Sequence, residues 1–208
     1  MFFNRRLKDN GTLPATKEER FWRWFSDHSD ELMAVRTGRE RICNQLFSEM
    51  QKVAKGIVYL FGPTVNGKRE FIVTPDGIPP LIDSVQKLVN VAPDLDVWKV
   101  IAFKPRVGSI TAFSIGKLNI DPNKDMYFSY NDSGGERMAL KIYIDGYDSS
   151  NKAFTSLAYI LLDMALGEYN VMTKLSLPEL LKLPENYKEF GLIPFSELPK
   201  AFDLRFKK

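Results

Sequence analysis

Gly56-Ile-Val-Tyr-Leu-Phe61 and Arg69-Glu-Phe-Ile-Val73 are followed by an apolar-periodic stretch from Ile78 to Ala92 and then by Val97-Trp-Lys-Val-Ile-Ala-Phe103. A second block follows the same order. It runs Met126-Tyr-Phe-Ser-Tyr130, Met138-Ala-Leu-Lys-Ile-Tyr-Ile144, Ala153 to Leu166, and Tyr169-Asn-Val-Met-Thr-Lys-Leu175. Short β-branched and aromatic runs read as strands, and runs with apolar residues three and four apart read as helices. Each block therefore predicts strand, strand, helix, strand. The pair predicts an α+β protein with pseudo-twofold symmetry. Its two ββαβ units share one mixed or antiparallel sheet with helices on one face. This order speaks to architecture and leaves the chemistry open.

Local signals support the elements. Val65-Asn-Gly-Lys68 is a turn that makes the first two strands a hairpin. Pro79-Pro80 opens the next helix, where a missing N–H costs nothing, and Pro93 ends it. Leu81, Val85, Leu88 and Ala92 then face the sheet. In the second block, Asn131 to Gly135 reads as a turn. Met138, Leu140, Ile142 and Ile144 alternate with Ala139, Lys141 and Tyr143, the mark of a half-buried strand. The helix from Ala153 is apolar nearly all round and needs cover on more than one side. Within 107–124, Ser109 to Ile115 is a candidate strand. Pro178, Pro184, Pro194 and Pro199 divide the tail into short helices and loops.

Upstream, residues 1–55 read as an arm and a helical hairpin, and residues 56–208 as the duplicated body with its Pro-rich tail, one folding unit overall. Thr16-Lys-Glu-Glu19 has the form of a capping box, and a helix to about Ala34 should follow. Its apolar face is Phe21, Trp24, Phe25, His28 and Leu32. A second capping box, Thr37-Gly-Arg-Glu40, opens a helix with the face Ile42, Leu46, Met50 and Val53, stopping at Gly56. Trp22 points off the first face. It either caps the sheet or belongs to a partner surface.

Composition narrows the function classes. The 208 residues are 44% hydrophobic and 26% charged, as in globular proteins. A net charge of +3 is too small and too mixed for specific nucleic-acid binding. One cysteine, Cys43, permits no internal disulfide. No run approaches the ~18 apolar residues of a membrane span. The segment from Met1 to Asp9 has no apolar core like that of a signal peptide. A soluble cytoplasmic protein is the expectation.

Candidate chemistry is sparse. The single histidine, His28, sits on an aromatic helix face and Cys43 lies beside Ile42, so both read as packing residues. No His–Glu zinc motif, paired-cysteine motif, nucleophile elbow or phosphate loop occurs, and one histidine with one cysteine cannot hold zinc within the chain. No metal and no cofactor is expected. The carboxylates are more informative. Asp163 interrupts an apolar helix and Glu168 follows Gly167 at its end. Such a pair can do acid–base work or form an ion site. Alternatively, Asp163 is hydrogen-bonded or solvated and Glu168 simply begins a strand. A desolvated Asp163 needs a partner. Lys104 and Arg106, in Phe103-Lys-Pro-Arg106, are the candidates.

Two stretches carry a resemblance. One runs from Glu70-Phe-Ile-Val-Thr-Pro-Asp-Gly77 through Val85 to Pro93 and Trp98-Lys-Val-Ile-Ala-Phe-Lys-Pro-Arg106. The other is Leu161-Leu-Asp-Met-Ala-Leu-Gly-Glu-Tyr169. Together they resemble a family of uncharacterised bacterial α+β proteins sharing an "AP…W…AF…PR" block and an "LLD…ALGEY" block. The resemblance implies a bacterial, cytoplasmic protein and brings no catalytic residues with it. Two functions stay open. One is a non-catalytic, regulatory module that binds another protein. The other is a small-molecule binder or enzyme using Asp163, Glu168, Lys104 and Arg106 between the units.

Overall fold

The structure, a computed structural model, describes residues 14–35, 40–131 and 135–206. Helix α1 (Lys17–Asp27) begins at the expected capping box. The Glu19 N–H donates to Thr16 Oγ1 at 3.1 Å, and the Thr16 N–H donates to Glu19 Oε2 at 2.8 Å. The helix is interrupted at His28, so the remainder of the anticipated helix is a short α2 (Ser29–Met33). Helix α3 (Glu40–Val53) buries the predicted Ile42, Leu46, Met50 and Val53 and packs against α1. Its anticipated cap at Thr37 lies outside the described residues.

The face of α1 is rotated from the expected one. Phe21, Trp22 and Phe25 are buried, whereas Trp24 is half-exposed and stacks on His28 with centroids 4.4 Å apart. Trp22 is therefore a core residue. Its indole N–H donates to the Leu88 carbonyl at 2.7 Å, and its ring meets Phe25 and Phe71 edge-on. The helix had two stripes to choose between. The sheet lies on the side of Trp22, where a buried indole finds an acceptor.

The first unit follows the sequence closely. Strands β1 (Val58–Val65) and β2 (Lys68–Thr74) form an antiparallel hairpin. Helix α4 (Ile82–Asn90) crosses over, and β3 (Trp98–Ala102) pairs parallel to β2. A short 3₁₀ turn at Pro79–Leu81 leads into α4. Phe71 and Val73 of β2 project into one core with Trp98, with Val85 and Leu88 of α4, and with the apolar faces of α1 and α3.

A small hairpin, β4 (Phe113–Ile115) and β5 (Leu118–Ile120), links this unit to the next and shortens the candidate strand at Ser109 to its last three residues. Strands β6 (Met126–Asn131) and β7 (Ala139–Ile144) are antiparallel, with the alternation of β7 as predicted. Helix α5 (Lys152–Leu166) covers their inner face. The next element departs from expectation. Tyr169 to Leu175 is not a strand; helix α6 (Glu168–Lys174) occupies most of it. Glu168, Val171, Met172 and Leu175 are buried at helical spacing while Tyr169 is exposed, a pattern that a strand would not produce. The strand that completes the unit is β8 (Glu179–Lys182), parallel to β7. A short β9 (Ile193–Pro194) pairs with β6, and α7 (Leu198–Phe206) packs on α5, giving that apolar helix cover on a second side.

The protein is thus α+β, with an N-terminal pair of packed helices. The strands do not form one shared sheet. They form sheets ordered β1-β2-β3 and β8-β7-β6-β9, with β4-β5 apart. The strand sequence antiparallel, crossover, parallel is common to both units. The end of β3 is sharply defined. Phe103 takes φ 67°, Pro105 has no N–H to donate, and the Lys104 N–H goes to a side chain instead of a ladder.

Because Trp22 fills the first core, Trp22→Ala is expected to cost about 3–5 kcal/mol. Urea denaturation measures it, and a loss below about 1 kcal/mol would show that the indole is not a packing centre.

Candidate functional site

The units meet at Glu168. After α5, Gly167 takes φ 82°, and a Cβ there would lie 3.4 Å from the Arg106 nitrogen. That distance is ordinary contact, so it is the backbone angle that calls for glycine. The turn delivers Glu168, fully buried, into the first unit. Oε1 accepts from Thr74 Oγ1 at 2.6 Å and from the Gly77 N–H at 3.1 Å, and Oε2 accepts from the Lys104 N–H at 3.0 Å. The Glu168 N–H in turn donates to the Lys104 carbonyl at 3.0 Å. Tyr169 then lies against Phe103 with centroids 5.1 Å apart. Three donors on one buried carboxylate offset much of its desolvation.

A cleft of about 670 Å³ opens beside this junction. Its walls come from both units: the Asp76-Gly77 turn and Lys104 from the first, α5, α6 and the lead into β8 from the second. Tyr159, Ile160, Met172, Leu175 and Leu177 make it largely apolar. Among them the Lys104 ammonium lies 2.8 Å from Asp76, 3.4 Å from Asp163 and 3.5 Å from Glu168. The Asp163 side chain is 13% exposed. Burial pushes its pKa up to about 6; Lys104 opposes the shift and the Glu168 charge adds to it. Burial alone would lower the Lys104 pKa, but the hydrogen bond to Asp76 and the charges of Glu168 and Asp163 outweigh it and raise it.

Of the predicted residues, Asp163 and Lys104 line the cleft. Glu168 sits behind its wall as the junction between units. Arg106 points elsewhere. Its guanidinium holds both oxygens of Asp203 on α7, at 3.0 and 3.1 Å. Pro105 separates the two cations and helps to send them different ways. Trp22 belongs to the other core and does not form part of the site. Sequence reasoning missed Asp76 and Arg137. Asp76 lies in the quoted Thr74-Pro-Asp-Gly77 turn, directly after a strand, where a side chain at a strand end often faces a cleft. Arg137 donates to the Met172 and Leu175 carbonyls at 3.2 and 2.8 Å, closing the end of α6. That role exists only once Glu168–Lys174 is a helix with carbonyls to close, which the local sequence does not specify.

His28 Nδ1 is 2.8 Å from the Trp24 carbonyl, and Cys43 is half-buried in α3, so the two share no site with the cleft. Among the described residues, no group of three or more His, Cys, Asp or Glu is placed to hold a metal ion, and no helix is long and apolar enough to cross a membrane. No protein family, curated protein or solved structure matches the chain.

Two substitutions separate the neighbouring carboxylates. Glu168→Gln turns an amide N–H₂ toward a donor, either Lys104 N–H or the Thr74–Gly77 pair, and is expected to cost about 2–3 kcal/mol by urea denaturation. A loss under about 0.5 kcal/mol would contradict the junction. Asp163 behaves oppositely. Its folded pKa lies above the unfolded value, so its favourable contribution is complete below about pH 4 and is lost as pH rises through about 6. Asp163→Asn is expected to stabilise the protein at pH 8 by roughly 1 kcal/mol after allowance for partial solvent screening, with the gain vanishing near pH 4. A loss of stability at pH 8 would show instead that the ionised side chain is a structural partner.

Proposed function

We propose that this protein is a non-catalytic small-molecule-binding module whose ligand seats in the cleft between the two units. The observation that carries the reading is the meeting of Asp163 and Lys104. They come from different units and share an apolar-walled cleft of about 670 Å³. Ligand sites commonly have this size and this mixture of apolar walls with a few polar groups. A carboxyl whose pKa is raised in a cleft is a frequent mark of such a site. Binding is favoured over catalysis because the second buried carboxylate, Glu168, is held by three donors, while the lone His28 and Cys43 lie in the N-terminal helices.

A regulatory role is compatible with this, and a second reading, a protein segment as the occupant, draws on one observation. Leu177, on the cleft rim, is 87% exposed. Trp22 no longer supports a partner surface, since its ring is buried. The likeness of the two sequence blocks to bacterial proteins supports a bacterial, cytoplasmic setting, and the matched strand order supports an internal repeat. The net charge of +3 still argues against a nucleic-acid partner.

A fragment screen by amide NMR tests the reading. Hits are expected to shift the amides of Gly77, Lys104 and Ser176, and Ile160→Arg is expected to remove them with the fold retained. Hits that map only to other surfaces, or none from a library of several hundred, would contradict it.

A further inference from the structure

We infer that the cleft selects organic cations: a primary ammonium carried on an apolar body, with the ammonium between Asp163 and Asp76 and the body along Tyr159, Ile160 and Leu177. This rests on the cleft being the binding site, and it names the class of ligand.

The charges around the cleft are unequal. One ammonium, Lys104, is shared by the carboxylates of Asp76, Asp163 and Glu168. Glu168 has its own donors in Thr74, Gly77 and the Lys104 amide. Asp76 holds the short contact at 2.8 Å, and Asp163 is left with the long one at 3.4 Å. Asp163 is thus a largely buried carboxyl with a weak partner, facing a cavity. Arg137, the other cation on the lining, directs Nη1 to the carbonyls of Met172 and Leu175 at the end of α6.

An incoming anion would meet the Asp76 and Asp163 carboxylates, the Lys104 ammonium already engaged by them, and Arg137, whose Nη1 is turned to the carbonyls at the end of α6. A neutral hydroxyl can donate a hydrogen bond to Asp163 but brings no charge to balance it. An ammonium gives Asp163 a close donor and lessens the competition for Lys104. Charge–charge attraction is strong in such a partly desolvated place. The walls select for the apolar body. Tyr159 and Ile160 lie on α5 one turn from Asp163, and Leu177 stands exposed on the rim. A ligand with both features uses the charged floor and the apolar walls together.

The matched probes octylammonium, 1-octanol and octanoate, titrated into the intact protein by amide NMR, decide the class. Octylammonium is expected to shift Gly77, Lys104 and Ser176 and to bind at least tenfold tighter than octanol at pH 7.5. The groups facing Asp163 are Asp76, Lys104 and Glu168, with Arg137 and Tyr159 also on the lining. Of these carboxyls, Asp163 is the one held weakly, so the ammonium preference should fall severalfold at pH 5.0. Asp163→Asn should reduce it to the level of octanol. Asp76→Asn, at an exposed position, should weaken it partially and serves if the first variant does not fold. Equal binding of all three probes, tightest binding by octanoate, or an ammonium preference unchanged in both variants would overturn the cationic class while keeping the cleft as the site. If no probe perturbs the cleft, both readings fall.

Discussion

One buried carboxylate holds the architecture together. Glu168 is fully inaccessible and accepts hydrogen bonds from Thr74, Gly77 and Lys104, which stand at the ends of two adjacent strands of the other unit. Burying a carboxylate is costly unless every lone pair is used, so this contact tolerates little displacement. The constraint runs back to local geometry. Gly167 must take a positive φ for α6 to start where it does, and Phe103 must do the same for Lys104 to present its N–H. A bulky residue in that region is strained. Its neighbours over-determine it, since the Phe103 N–H is held by the Val73 carbonyl at 2.8 Å and its ring by Tyr169.

The cleft is a consequence of that junction. Two sheets with the same strand order lie side by side without pairing, and α6 is wedged between them. Met172 faces the first core, while Val171 and Leu175 face the second. Asp163 and Glu168 stand on either side of the helix break at Gly167, yet their environments diverge. Glu168 is surrounded by donors. Asp163 lies against apolar walls with Lys104 at 3.4 Å, and burial raises its pKa. The first arrangement builds structure and the second leaves capacity for a ligand.

The periodicity of the chain carried most of this fold. Alternation in β7, the Asn66-Gly67 turn, the Thr16 capping box and the apolar face of α3 each specify an element through local chemistry, and each is present. What escaped depended on tertiary context. Val171, Met172 and Leu175 suit a strand or a helix in isolation, and the burial of Glu168 chose the helix. Trp22 and Trp24 compete as core residues until the sheet takes one side of α1. Whether the strands would join one sheet depended on edge pairing between the units, which local periodicity does not encode. For the site, Asp163 and Lys104 were legible because an acid inside an apolar run demands a partner. The diversion of Arg106 to Asp203 was not, since that partner lies far away in α7.

The Glu168 junction holds Asp163 largely buried where the two units meet. Carbon-13 NMR titration of the Asp163 side-chain carboxyl in the 208-residue chain measures this directly. The account predicts a midpoint of about 6. A midpoint near the ordinary aspartate value of ~3.9 would contradict this, because desolvation would then not outweigh the Lys104 interaction at Asp163.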